Sequence, residues 1–91
     1  MINNKLNPVD WPSLLYELED AKEHLENLIA QASQDGEIDE QDYMIQVGHI
    51  YAHLNRSWNS RNKVGEYNDK ERKAFTLFPK DIVLVNNKVV N

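Results

Sequence analysis

The chain has 91 residues, 41% hydrophobic and 27% charged, with a formal net charge of −5; a length of this order gives one small domain that buries only about two-thirds of its unfolded surface, with little room for a deep catalytic cavity. The absence of cysteine excludes disulfides, thiolate metal centres and a cysteine nucleophile. No stretch approaches the roughly 18 apolar residues of a membrane span, and the first residues hold no apolar run of signal-peptide length, so a cytoplasmic protein without a membrane partner is expected.

The first element is a helix over about residues 11–34. Asp10 is its expected N-cap, Pro12 is tolerated in the first turn, and Val9 can staple against Leu14. Trp11, Leu14, Leu15, Leu18, Ala21, Leu25, Leu28, Ile29 and Ala32 project into one arc of roughly 140°. Asp35-Gly36 then supplies a left-handed stop, and Asp39 with Asp42 three residues on supplies the next N-cap. The second helix, about 40–60, carries Tyr43, Met44, Val47, Ile50, Tyr51, Leu54 and Trp58 in an arc of roughly 100°.

Reversal at Gly36 pairs positions whose numbers sum to about 72, as a short antiparallel connection imposes. The two apolar stripes are therefore expected to face each other, Leu18 opposite Leu54. After a polar stretch, Asn68 and Glu71 form a cap pair for a short third helix, about 69–78, which Pro79 ends. The tail, 80–91, reads as two short strands, residues 82–85 and 88–90, around Asn86-Asn87. The expected fold class is all-α or mainly α: a long antiparallel helical hairpin, a short third helix and a small C-terminal β-hairpin, in a single domain.

Charge is unevenly divided. Residues 1–54 hold two lysines against eleven acids, and residues 55–91 hold eight basic residues against four acids. In the antiparallel register Arg56 and Arg61 come near Glu17 and Glu19, so part of the asymmetry is expected to be satisfied internally.

Two patterns bear on metals. With Gly36 as the obligatory glycine, Gln31, Ser33, Asp35, Glu37, Asp39 and Asp42 fall at the ligand positions of a calcium loop, and these dozen residues resemble a degenerate EF-hand. A neutral amide opens the loop and a short aspartate closes it, so Asp35, Glu37, Asp39 and Asp42 are expected to act as helix caps instead. His49 and His53 stand at i and i+4, a spacing that suits one metal ion. Their projection lies about 120 to 160° from the centre of the apolar stripe, which predicts histidines facing solvent without a metal.

Enzyme chemistry finds no support. The serines lack a nucleophile-elbow context, and Gly36, Gly48 and Gly65 are too far apart for a phosphate loop. A second face of the second helix, Ile45, Gly48, Ala52, Asn55 and Asn59, invites a close approach, because a mid-helix glycine costs about 1 kcal/mol relative to alanine. These features predict a non-catalytic protein-protein interaction or regulatory module with no cofactor. Ile45, Gly48, Ala52, Arg56 and Arg61 are its contact candidates, and a homodimer is the assembly considered. The alternatives are a metal-binding protein, of degenerate EF-hand or histidine type, and a nucleic-acid accessory factor using the basic residues 56–73. The net negative charge argues against the latter.

Overall fold

The computed structural model describes residues 2 and 11–86. It contains three helices, α1 (Trp11–Asp35), α2 (Glu40–Asn59) and α3 (Asp69–Thr76), and no strand among the described residues. The fold is all-α. No helix of the described residues is long and apolar enough to cross a membrane. The Asp10 cap and Val9 staple expected for α1 lie outside the described residues.

The turn chemistry explains the hairpin. Gly36 adopts φ +71°, a region open to glycine at no steric cost, and its N–H donates to the Ala32 carbonyl at 3.0 Å to close α1. Asp39 is in extended backbone and accepts from the Asp42 N–H at 3.2 Å, which starts α2. Helix α3 is opened by a full capping box, Asn68 accepting from the Glu71 N–H and Glu71 from the Asn68 N–H. Its far end is held by α2. Asn55 donates to the Thr76 carbonyl at 2.9 Å, and Asn59 donates to the carbonyls of Phe75 and Leu77 at 2.8 Å each, satisfying groups that the end of a helix leaves open.

The expected C-terminal β-hairpin finds no support among the described residues. Residues 82–86 carry no strand and are exposed, and the second expected strand lies outside the described residues. An isolated strand pair of this length has too little to bury to hold itself together.

The helices pair in the expected register but through a different face. Glu17 meets Arg56, His24 meets His49 and Gln31 meets Asp42, pairs that all sum to 73. The contact line on α1 is Glu17, Ala21, His24, Leu28 and Gln31, and on α2 it is Asp42, Gln46, His49, His53 and Arg56, each spaced alternately by three and four residues. Ala21 and Leu28 are the only buried apolar residues described. Most of both apolar stripes turns away from the seam: Leu18 is 42% and Leu54 41% exposed, and Leu25, Ile29, Tyr43 and Met44 are more open still.

The two helices run in opposite directions and their stripes are rotated from the seam in the same residue sense. The stripes therefore emerge on the same side of the pair, as one apolar layer. Asn55 and Asn59, which hold α3, lie on the far side of α2 from Leu54. Phe78, just after α3, packs edge-on against Tyr51 of the α2 stripe at 5.3 Å, while Leu18, Leu25, Ile29, Tyr43 and Leu54 stay exposed.

Candidate functional site

The seam between α1 and α2 holds the densest set of chemically capable side chains. Glu17 is 2% exposed, and Arg56 Nε donates to its Oε2 at 2.6 Å. His53, 4% exposed, places Nδ1 2.7 Å from Glu17 Oε1. Tyr67, from the loop after α2, reaches the same carboxylate at 3.4 Å. Arg56 also donates from Nη1 to Thr76 Oγ1 at 3.1 Å, tying the buried pair to α3.

Burial alone would push the Glu17 carboxyl up. The hydrogen bonds from Arg56 and His53, with their charges, outweigh it and hold the group below the usual carboxylate range. Burial and the adjacent Glu17 charge push the Tyr67 phenol up.

An ionised Glu17 fixes the state of its neighbour. A carboxylate only accepts, so the 2.7 Å contact makes His53 Nδ1 the donor, and the Arg56 Nη2 found 3.1 Å from the same nitrogen is a close approach and not a second hydrogen bond. Nε2 is left pointing into the seam. It is buried with no hydrogen-bond partner, and Asp20 Oδ2 lies 3.6 Å away, beyond hydrogen-bond reach.

Next to that nitrogen the three histidines of the chain gather. Ring centroids are 4.2 Å apart for His24 and His49, 5.1 Å for His49 and His53, and 5.4 Å for His24 and His53. One ring nitrogen from each lies within 4.8 Å of the others. Partial burial, then the charges of His24, His53 and Arg56, lower the His49 pKa despite the opposing pull of Asp20.

The solvent-facing arrangement expected of both helix histidines therefore holds for His49 alone. His53 is buried, because the seam is rotated away from the apolar stripe used to orient it. The expected approach of Arg56 to Glu17 is formed, whereas the sequence pattern did not mark His24 and Asp20 as site residues. The pairing rule that set Leu18 opposite Leu54 at a sum of about 72 points to them, since 24 pairs with 49 and 20 with 53 at a sum of 73.

The other candidates are dispersed. Asp39 is consumed as a cap, and Asp42 accepts from the amides of Gln31 at 3.4 Å and Gln46 at 3.0 Å, so the loop carboxylates serve helix ends and the seam. Asp35, Glu37 and Asp39 are exposed around an open depression. Gly48 is exposed, and a Cβ built there meets nothing within 4 Å, so no neighbour within the described chain accounts for it. Ile45 is exposed and Ala52 half-buried. Arg56 is in the buried pair. Arg61 does not reach Glu19: it stacks on Trp58, 3.8 Å from the ring centroid, and pairs with Asp81 at 3.1 Å. Lys63 pairs with Glu71 at 2.9 Å.

Beside the seam, a cleft of about 380 Å³ opens between the start of α1 and the segment from Ser60 to Arg72, with Glu17, Lys63, Tyr67 and Arg72 among its lining residues. No protein-family model matches this sequence, and comparison with curated proteins and with solved structures found no significant similarity.

Proposed function

We propose that this chain is a non-catalytic interaction module of the cytoplasm, and that the partner on its apolar layer is a second copy of itself. The observation that carries the reading is the layer formed by Leu18, Leu25, Ile29, Tyr43 and Leu54, set against a described apolar interior of only Ala21 and Leu28. Two helices joined by a polar seam gain little hydrophobic stabilisation, and a chain of this size needs more buried apolar surface than that to stay folded.

A second copy suits the layer best, because a two-fold axis through it would bring together two surfaces of the same length and chemistry in a four-helix arrangement. Together with the similarly open Leu15, Met44 and Tyr51 of the same stripes, the open parts of these side chains amount to on the order of 700 Å², near the roughly 800 Å² that each partner gives to a stable interface. Nucleic acid is not favoured as partner, since Arg56, Arg61 and Lys63 are already engaged by carboxylates.

Light scattering across a concentration series tests the proposal. A mass of two chains is expected at micromolar concentration, and Leu25→Glu with Leu54→Glu is expected to give a single chain that keeps its helicity. A wild-type mass of one chain at high micromolar concentration would sink it.

A further inference from the structure

The geometry points to a site for one divalent transition-metal ion, of the zinc class, formed by His24, His49 and His53 with Asp20 as a fourth ligand. Two i, i+4 pairs meet across the seam, Asp20 and His24 from α1, His49 and His53 from α2, in the one register that sets 20 against 53 and 24 against 49. Imidazole nitrogens with one carboxylate oxygen are the donor set that zinc accepts in tetrahedral sites. Calcium, which takes six or more oxygens, is excluded by the same set.

Three observations converge on the site. The candidate nitrogens already lie within 4.8 Å of one another. The Nε2 of His53 is buried with no hydrogen-bond partner, a polar atom that a metal ion would satisfy. Its 3.6 Å separation from Asp20 Oδ2 is too long for a hydrogen bond and close to the roughly 3.4 Å between two ligands of a tetrahedral zinc ion. Glu17 completes the arrangement from outside. By accepting from Nδ1 at 2.7 Å it fixes the tautomer and orientation of His53, as a carboxylate behind a metal-bound imidazole does.

The rings are near-parallel, at 19 to 36° to one another, so coordination requires His24 and His49 to rotate about their side-chain bonds. The half-buried His24 and exposed His49 have room to do so, whereas His53 is held. Affinity among first-row ions would rise toward copper, as for any imidazole site.

The test is a calorimetric zinc titration of the full chain without a histidine tag, accompanied by cobalt substitution. This chain has three histidines in all, so no other imidazole can contribute. One ion per chain is expected, with the visible absorption of tetrahedral cobalt. His24→Ala and His49→Ala are each expected to weaken binding at least tenfold and together to abolish it. Both change residues outside the buried ion pair, so helicity should persist and binding can still be read. Glu17→Gln should weaken binding about 10- to 100-fold. Absence of saturable binding up to millimolar zinc, binding unchanged in the double histidine variant, or one ion per two chains would each overturn the site.

Discussion

The seam and the apolar layer lie side by side on the same two helices, yet they invert the usual division between inside and outside. The seam is closed and holds a carboxylate, a guanidinium and histidines; the layer is open and holds leucines, isoleucine and tyrosine. Geometry decides the seam and mass action would decide the layer. A buried ion pair adds little net stability, because the cost of removing two charges from water offsets their attraction, but it is unforgiving of a missing partner. An open apolar layer costs the isolated chain solubility and returns stability only when something covers it.

The largest effect should therefore come from breaking the seam. Glu17→Ala leaves Arg56 buried without its carboxylate and is expected to cost about 3 to 5 kcal/mol in chemical unfolding. Replacing Glu17 and Arg56 together by apolar residues of similar volume should cost much less. A single variant no worse than the double would mean that the pair is not desolvated as its burial indicates.

Truncation in the layer should read differently. Leu18→Ala and Leu54→Ala remove side chains already over 40% exposed in one chain, so at low concentration each is expected to cost about 1 kcal/mol or less. Where two chains associate, the same changes should cost about 2 to 4 kcal/mol, as for buried leucines. Unfolding measured at two protein concentrations checks this, and equal costs at both would erase the contrast between seam and layer.

Sequence patterns made the helices legible because their stops are local chemistry: Asp35-Gly36, Asp39 with Asp42 and Asn68 with Glu71 each act within a few residues. The register was legible too, being dictated by a short turn. The facing surface was not, for a reason particular to this chain. Hydrophobicity ranks Leu18 and Leu54 as inward, which holds only where the partner that removes them from water is the neighbouring helix. Here the neighbouring helix is reached through Glu17, His53 and Arg56, whose fit depends on side-chain geometry that periodicity does not record. The same error turned His53 outward and hid His24.

Acid should separate the seam from the other carboxylates. Burial acts to raise the Glu17 pKa, but Arg56 and His53 bring it below its value in an unfolded chain, so the unfolded state takes up the proton more readily. The Glu17 contribution is then complete above about pH 4.3, the ordinary glutamate value, and is lost as pH falls through the lower folded value. Glu71, lowered by Lys63, and Asp81, lowered by the Trp58 N–H and Arg61, act in the same direction. The comparison of wild type with Glu17→Gln isolates the seam. Unfolding free energies that fall in parallel for both proteins from pH 6 to pH 3 would show that Glu17 gains nothing from its partners.

The smallest expected change bears on which face of α2 a second copy uses. Gly48 lies on the side away from the layer, and a Cβ there meets nothing within 4 Å. Its backbone is ordinary helix, without a positive φ. Gly48→Ala should therefore stabilise by roughly 0.5 to 1 kcal/mol through the lower entropy of the unfolded chain and the better helix propensity of alanine. That gain should persist at concentrations where two chains associate, because a dimer formed through Leu25 and Leu54 leaves Gly48 in water. If alanine instead lowers the association constant while raising the stability of the single chain, the close approach that Gly48 permits is made to a second copy. The interface would then lie on the Gly48 and Ala52 side of α2, with the apolar layer left for another partner.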